Sequence, residues 1–251
     1  MGGYSSWHEA IEVSKRIGGD YENKNIIDQV VAATQKVRHG EAIYEQDGVC
    51  FYEPHNNFQL LTTIFYTKAM LGNISVVDFG GALGSTYFHY RDILSAIETK
   101  WCVVEQKHFV DCGKANVPEI DFYYNLDEAL ASANKPNVLL LSSVLQYLDA
   151  PYKWLGDMLC KGFSYVIVDR TAFQYDIKAK DKIVLQNVPA SIYKAVYPLH
   201  LLGLEEFKCL IGKCGYEVIW EWSEYDDHIP LKKGLTFEET IDRGFLLHMI
   251  K

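Results

Sequence analysis

Two acidic side chains and a glycine-rich turn are the residues of this sequence best suited to binding a small ligand. Asp78 ends an apolar run and precedes the turn Gly80–Gly84, and Glu105 ends the next apolar run. Glycines let a backbone approach a ligand where a Cβ would collide, and the helix that follows offers free N–H groups. An acid after the second strand is placed to hold ribose hydroxyls. The pattern predicts the first strand–turn–helix unit of a nucleotide- or nucleoside-binding fold.

The spacing of the glycines distinguishes between two kinds of ligand. A dinucleotide loop would need glycines where this chain has Ala82 and Ser85. The pattern acid-x-Gly-x-Gly-x-Gly fits Asp78 to Gly84 with one Gly-to-Ala departure, and it resembles motif I of class I S-adenosylmethionine-dependent methyltransferases. An acid before the turn suits a ligand with an ammonium and a sulfonium group, acting through water or by fixing the loop, whereas it would repel a pyrophosphate. The structural alternative is an ordinary tight turn with a carboxylate at the helix cap.

Composition narrows the class of partner. The chain has 251 residues, with 24 Lys and Arg against 33 Asp and Glu and a formal charge of −9. An acidic chain without a basic cluster argues against a nucleic-acid substrate. The six cysteines include no Cys-x-x-Cys pair, no signal peptide is visible, and no apolar run has membrane-spanning length. We therefore expect a cytoplasmic protein without a membrane partner, and the histidine spacings predict no metal site.

Hydrophobic periodicity predicts an α/β fold with an N-terminal helical cap. Residues 1–73 are predicted as a mostly helical cap segment, and 74–251 as a Rossmann-like domain in which strands and helices alternate. A helix, a glycine stop and a strand at 204–219 resemble the element before strand six of class I methyltransferases. We expect a seven-stranded, mostly parallel sheet with a C-terminal pair, and a substrate lid at 171–203. A dinucleotide dehydrogenase would continue into a second nucleotide-binding half.

Four segments together extend the resemblance. Asp78–Gly81, Trp101–Gln106, Leu140–Leu148 and Val168–Thr171 look like a bacterial group of methyltransferases encoded among capsule and surface-polysaccharide genes. The likeness runs from about residue 20 to the C-terminus. It implies a fold and S-adenosylmethionine as cofactor, with S-adenosylhomocysteine as product, but it does not fix the methyl acceptor.

The predicted cofactor residues follow the carboxyl ends of the strands, where open α/β sheets bind their ligands. The glycine turn would hold the amino-acid half of the cofactor, and Glu105 would bind the ribose. Ser142 and Ser143 follow the predicted fourth strand, Asn137–Leu141, and would contact the ammonium group, or cap a helix, or both. Asn125 could touch the adenine edge or simply form a turn. The full set is Asp78, Gly80, Gly81, Gly84, Ser85, Glu105, Gln106 (beside the adenine), Asn125, Ser142, Ser143, Tyr147 and, from the cap, Tyr44.

The fifth strand is predicted at Tyr165–Asp169, and the catalytic candidates lie at its end and in the predicted lid. Transfer of a methyl group to oxygen needs alignment, plus a base where the acceptor is a neutral hydroxyl. Asp169 is a candidate base and Arg170 a clamp for a phosphate or carboxylate, although an Asp–Arg pair can also merely hold a loop. His200 is an alternative base or a packed core histidine, and Tyr193 lies in the same lid.

These observations favour O-methylation of a small polar or phosphorylated precursor, a sugar or a phosphoramidate-type compound, in capsule or surface-polysaccharide biosynthesis. The surface-glycan part comes from the resemblance alone. Two alternatives stay open: an NAD(P)-dependent oxidoreductase with a degenerate glycine loop, and a catalytically silent, cofactor-binding partner of another methyltransferase. The expected partners are a small-molecule methyl acceptor and, through the aromatic-rich terminal segments, a second copy of the chain.

Overall fold

The computed structural model describes residues 3–17, 24–187, 196–224 and 240–250. These residues form eight α-helices, one short 3₁₀ helix at Leu145–Tyr147 and eleven strands. The helices are α1 (Trp7–Arg16), α2 (Lys24–Arg38), α3 (Phe58–Leu71), α4 (Ser85–Ala96), α5 (Lys107–Asn116), α6 (Leu126–Ala131), α7 (Pro151–Leu159) and α8 (Leu204–Lys213). The strands are β1 (Tyr44–Gln46), β2 (Val49–Phe51), β3 (Ser75–Phe79), β4 (Lys100–Val104), β5 (Asp121–Tyr123), β6 (Val138–Ser142), β7 (Tyr165–Gln174), β8 (Lys182–Asn187), β9 (Val196–Leu201), β10 (Tyr216–Glu224) and β11 (Thr240–Met249).

The main sheet has seven strands in the order β10-β11-β7-β6-β3-β4-β5. β3 pairs in parallel with both β4 and β6, β4 pairs in parallel with β5, and β10 and β11 form the antiparallel C-terminal pair. Strands that helices cover on both faces need apolar residues throughout, which is why β6 is buried from Val138 to Leu141. The predicted Rossmann-like, mostly parallel sheet of seven strands is confirmed.

The chain divides into two compact units. Unit 1 comprises residues 1–22, 143–162 and 168–251, and unit 2 comprises residues 23–142 and 163–167. The division into a cap and a domain at residue 73 stays a prediction.

Unit 2 contains a β-hairpin that the sequence analysis did not predict. β1 and β2 pair antiparallel inside the segment predicted as mostly helical. The two residues between them, Asp47 and Gly48, both have positive φ, at 53° and 79°. Asp-Gly favours the tight turn that requires positive φ at both positions, so the hairpin has a local signal in the sequence.

Unit 1 also differs from the prediction between strand five and α8. β7 continues to Gln174 instead of ending near residue 169, and β8 and β9 pair antiparallel inside the segment predicted as a lid. The predicted helix, glycine stop and strand are present as α8, Gly215 with φ 80°, and β10.

Candidate functional site

The glycine loop of unit 2 is shaped by left-handed backbone conformations. Gly80, Ala82 and Gly84 have φ values of 78°, 49° and 90°. The Gly80 N–H donates to the carbonyl of Val104 on β4, at 2.9 Å, which ties the start of the loop to the neighbouring strand. Glycine adopts such conformations without steric strain, so Ala82 is the one residue of the three that is strained by its Cβ.

The side chain of Asp78 packs directly against this loop. Its side chain is buried, and a Cβ placed on Gly81 would stand 2.5 Å from the Asp78 Cγ. The loop therefore lies directly on the carboxyl group, in an arrangement that only glycine allows at position 81. Of the two roles expected for Asp78, fixing the loop is the one that this contact supports.

Glu105 reaches the same loop from the end of β4. Its carboxyl group accepts a hydrogen bond from the backbone N–H of Gln106 at 2.6 Å. Burial raises the pKa of Glu105 to about 7, and the backbone N–H groups of Gln106 and of Ala82 in the loop, which favour the charged form, only partly offset the desolvation. The fold thus brings together the second acid and the glycine turn, which are distant in the sequence. A carboxylate at this position can accept hydrogen bonds from the vicinal hydroxyls of a ribose.

The two residues predicted near the adenine cap helices. Gln106 is the N-cap of α5, makes no capping bond through its side chain, and is exposed. Asn125 is the N-cap of α6: its amide oxygen accepts from the Glu128 N–H at 3.0 Å, and its amide nitrogen donates to Glu128 Oε1 at 2.8 Å. Asn125 is therefore occupied as a helix cap, and its contact with the adenine stays a prediction, as does that of Gln106.

Tyr44 lies in an aromatic stack on the hairpin. Its ring is 4.6 Å from that of Phe51 and 4.4 Å from that of His89 on α4, with interplanar angles of 4° and 9°. Parallel rings at these distances are in face-to-face contact. The stack therefore joins the hairpin to α4, and a ligand contact of Tyr44 stays a prediction.

Glu45 is the residue at this site that sequence reasoning missed. It is buried beside Tyr44, and its carboxyl group accepts a hydrogen bond from the hydroxyl of Ser85, the first residue of α4. The sequence signal that could have found it is the Asp47–Gly48 turn, because that turn places Glu45 on a strand instead of a helix.

Ser142 and Ser143, the two serines predicted to contact the ammonium group, belong to different units. Ser142 ends β6 in unit 2. Ser143, in unit 1, has φ 53°, and its hydroxyl accepts a hydrogen bond from Gln146 Nε2 at 3.1 Å. A short 3₁₀ helix follows, with Val144 as its N-cap and no side-chain cap. The alternative role of the serines as a helix N-cap is therefore not observed.

Tyr147 contributes to packing within unit 1. Its hydroxyl donates to Gln186 Oε1 on β8 at 2.8 Å, and its ring meets that of Tyr197 on β9 edge to face, with centroids 5.6 Å apart. It also packs against the small apolar cluster of Ala172, Val184, Leu199 and Leu201. Tyr147 therefore packs against both β8 and β9, and its role in cofactor binding stays a prediction.

Asp169 and Arg170 form the ion pair that was one of the two interpretations of this segment. Arg170 Nε is 3.5 Å from Asp169 Oδ2, the Asp169 side chain is fully buried, and the Arg170 side chain is 31% exposed. Arg170 adopts φ 46°, a strained conformation for a residue with a side chain. The Asp169 backbone carbonyl accepts from the Ser143 N–H at 2.9 Å. The pair therefore lies where β7 adopts this left-handed conformation, and the catalytic roles of both residues stay predictions.

His200 is a buried histidine on β9. Its ring stacks on that of Trp7 in α1, with centroids 4.7 Å apart and planes 11° from parallel. Burial lowers the pKa of His200, so the ring is neutral near pH 7. A neutral imidazole can act as a base, but this ring is covered by Trp7. Tyr193 lies outside the described residues.

Among the residues with described positions, no group of His, Cys, Asp and Glu side chains could hold a metal ion. No helix in the described ranges is both long enough and apolar enough to cross a membrane.

The fold resembles that of solved methyltransferases, whereas the sequence matches no protein-family model and no curated protein. The N-terminal domain of EvdMO1, crystallised with S-adenosylhomocysteine and D-fucose, is 13% identical with a TM-score of 0.52, covering 86% of this chain and 96% of that one. The glycopeptide N-methyltransferase MtfA is 11% identical with a TM-score of 0.50, covering 78% and 91%. A Burkholderia thailandensis 1,6-didemethyltoxoflavin-N1-methyltransferase is 11% identical with a TM-score of 0.48, covering 99% and 92%. From its similarity to the first two of these structures, together with its sheet topology, the chain has a class I methyltransferase-like fold.

Proposed function

We propose that this protein is an S-adenosylmethionine-dependent methyltransferase. The observation that carries the proposal is the position of Glu105 beside the glycine loop: the Gly80 N–H donates to Val104, the residue before Glu105, and the Ala82 N–H of the loop favours the charged form of Glu105. In a sheet of this topology, ligands bind beyond the carboxyl ends of the strands, where both features lie. The S-adenosylhomocysteine held by the EvdMO1 domain, which has a similar fold, supports the same cofactor.

The residues of unit 2 fit the parts of such a cofactor. The turn Gly80–Gly84 offers backbone that a ligand can approach closely, and Glu105 offers two acceptor oxygens to the ribose hydroxyls. Asp78 holds the loop in place through its contact with Gly81. When bound, S-adenosylmethionine supplies an electrophilic methyl group, so the protein itself must mainly orient the acceptor and take up a proton where needed.

We further propose that the acceptor is an oxygen of a small polar or phosphorylated precursor in capsule or surface-polysaccharide biosynthesis. The family resemblance motivates the pathway, and the D-fucose in the EvdMO1 crystals is consistent with a sugar hydroxyl. Arg170 motivates the anionic options, because guanidinium groups bind phosphate and carboxylate well. Asp169 would then serve as the base.

The first experiment is calorimetric titration with S-adenosylhomocysteine and, separately, NADH, on the wild type and on Glu105→Ala. The proposal predicts binding of S-adenosylhomocysteine alone, at micromolar affinity, and its loss in the variant. Binding of NADH alone would favour the oxidoreductase alternative. Binding of neither ligand would overturn the proposal.

The acceptor is tested by incubating the protein with S-adenosylmethionine and a panel of sugars, sugar phosphates and sugar phosphoramidates. A mass gain of one methylene unit on a panel member supports O-methylation. The enclosed positions of Asp169 and His200 also favour a second candidate, the catalytically silent partner subunit. That candidate predicts normal cofactor binding with turnover only after a second methyltransferase is added.

A further inference from the structure

Two cysteines that are far apart in the sequence end two helices of unit 1. Cys160 is the C-cap residue of α7, and Cys214 is the C-cap residue of α8. Both thiols are free, Cys160 being exposed and Cys214 partly buried. Neither residue belongs to the glycine loop or to the candidate catalytic residues, so their chemistry is separate from that of the proposed methyl-transfer site.

Two contacts show that α7 and α8 lie side by side and run in the same direction. A Cβ built on Gly156 of α7 would be 3.7 Å from Leu210 Cδ1 of α8, an ordinary van der Waals distance. Nearer the C-terminal ends, the Tyr216 hydroxyl donates to the Leu159 carbonyl at 3.3 Å. The line of contact therefore advances along both helices towards their C-terminal ends.

The cysteines lie between these two contacts. The Cys160 N–H donates to the Gly156 carbonyl and the Cys214 N–H donates to the Leu210 carbonyl, each at 3.0 Å. Each cysteine is thus one helical turn beyond the Gly156–Leu210 contact, and the hydrogen bond of Tyr216 lies next to both. Packing on both sides of the pair brings the two thiols to the same place.

The two thiols also influence each other. Burial raises the pKa of the Cys214 thiol, and the neighbouring Cys160 raises it further. Only a thiolate attacks a disulfide, and the attacking sulfur must also be accessible. The exposed Cys160 is therefore the thiol that reacts first with a reagent from the solvent, and Cys214 is placed to react second.

We propose that Cys160 and Cys214 form a reversible oxidation site, at which a small-molecule disulfide such as glutathione disulfide converts the two thiols into an intramolecular disulfide between α7 and α8. The inference does not depend on the proposed function. In a reducing compartment such a pair is a thiol pair that oxidises under stress, since disulfides there are usually transient.

The reaction takes place in two exchange steps. The Cys160 thiolate attacks one sulfur of glutathione disulfide, which forms a mixed disulfide and releases one glutathione thiolate. The Cys214 thiolate then attacks the Cys160 sulfur, forms the protein disulfide and releases the second glutathione. The two cysteines lose two electrons and two protons, and these appear on the two glutathione thiols.

The new bond would close a segment of the chain that contains β7, β8 and β9. Linking helix ends that already pack together should stabilise the protein, because the link mainly restricts the unfolded chain. Oxidation would thus strengthen the part of unit 1 in which Asp169 and Arg170 lie.

The test exposes the wild type, Cys160→Ser, Cys214→Ser and the control Cys209→Ser to glutathione disulfide, blocks the remaining thiols with N-ethylmaleimide, and maps every cysteine by peptide mass spectrometry. Cys209 is an exposed cysteine of α8 that is not at the helix end. We expect the wild type and the control to form the Cys160–Cys214 disulfide, which dithiothreitol reverses. Cys214→Ser should stop at the mixed disulfide of Cys160 with glutathione, and Cys160→Ser should form no link.

Three results of this mapping would overturn the inference. They are a wild type in which Cys160 keeps glutathione without bonding to Cys214, one in which both thiols stay unmodified, and one in which the disulfide joins two chains.

Thermal unfolding provides a second measurement. The oxidised wild type should have a Tm at least about 3 °C above that of the reduced protein, and Cys214→Ser should show no such rise. An equal or lower Tm of the cross-linked protein would show that the bond forms only by distorting the helix ends, and this too would overturn the inference.

Discussion

The carboxyl group of Asp78 lies directly against the backbone of Gly81, so that a Cβ on Gly81 would stand 2.5 Å from both Cγ and Oδ2 of Asp78. Real Cβ atoms do not approach other heavy atoms this closely. The side chain before the turn and the glycine within it therefore fit each other, and this contact places the loop that we propose to hold the cofactor.

Gly81→Ala should disrupt this contact. We expect a loss of about 1–3 kcal/mol in the free energy of unfolding, because the added methyl group must displace either the loop or the buried carboxyl group. S-adenosylhomocysteine should bind at least about tenfold more weakly, since the displaced loop is the proposed binding surface. Urea denaturation and calorimetric titration measure the two effects.

Gly212→Ala is the matched control for this substitution. Gly212 lies in α8, and a Cβ there would meet no atom within 4 Å, so it should leave cofactor binding unchanged and stabilise the helix slightly. The double variant Asp78→Ala/Gly81→Ala removes the collision. If it were no more stable than Asp78→Ala and Gly81→Ala predict additively, the clash would not be the cause of the defect.

Glu105→Gln should weaken S-adenosylhomocysteine binding by about 10- to 100-fold, the amount expected when charge-assisted hydrogen bonds are lost. In the wild type, affinity should increase as the pH rises through about 7, where Glu105 ionises, and the variant should lack this dependence. Titrations across that range test it, with the exposed Glu98→Gln as control. A pH profile shared by wild type and Glu105→Gln would show that another group is responsible.

The ligand-free protein should lose stability as the pH rises through the range from about 4.3, the ordinary pKa of Glu, to about 7. Burial raises the pKa values of Glu45 and Glu105 to about 7, so in this range the folded state binds more protons than the unfolded state. The free energy of unfolding then falls with increasing pH. Denaturant titrations at a series of pH values measure the slope, which should be shallower in Glu45→Gln/Glu105→Gln. An unchanged slope in that double variant would contradict the assignment.

Arg170→Ala should lower the free energy of unfolding by about 3 kcal/mol, because it removes the cationic neighbour of the fully buried Asp169 carboxyl group. Lys208→Ala is the control, since Lys208 pairs with Glu221 at the surface and its loss should cost less than about 1 kcal/mol. Equal effects of the two substitutions, measured by urea denaturation, would show that the Asp169–Arg170 pair contributes no more to stability than a surface ion pair.

Trp7→Ala should raise the pKa of His200 towards the ordinary histidine value of about 6.5. The cause is the loss of the stacked indole, which lets water reach a ring whose burial lowers its pKa. NMR titration of the histidine ring protons measures this change, and Trp220→Ala, a partly exposed residue of β10, should not produce it. No change of the His200 pKa in Trp7→Ala would mean that other groups bury the imidazole.

Much of the fold is readable from local patterns in the sequence. β6 is a continuous apolar run from Val138 to Leu141, β3 has Val76 and Val77 before Asp78, and Gly215 separates α8 from β10. The existence and order of these elements follow from hydrophobicity and from the conformations that single residues allow. The hairpin at Asp47–Gly48 can also be predicted from the sequence, provided that the Asp-Gly turn signal is given priority over the helical pattern of the surrounding residues.

The sequence by itself also determined that an acid, a glycine turn and a second acid stand at the ends of consecutive strands, since this order is a property of the chain. Only the tertiary structure decided that Glu105 lies beside the loop at Ala82, that Asp169 is fully buried beside Arg170, and that Glu45 accepts a hydrogen bond from Ser85. The contacts of Glu105 and Glu45 join residues from separate elements, and the burial of Asp169 depends on the elements packed around β7. No local pattern carries that information, because it arises only when the elements pack.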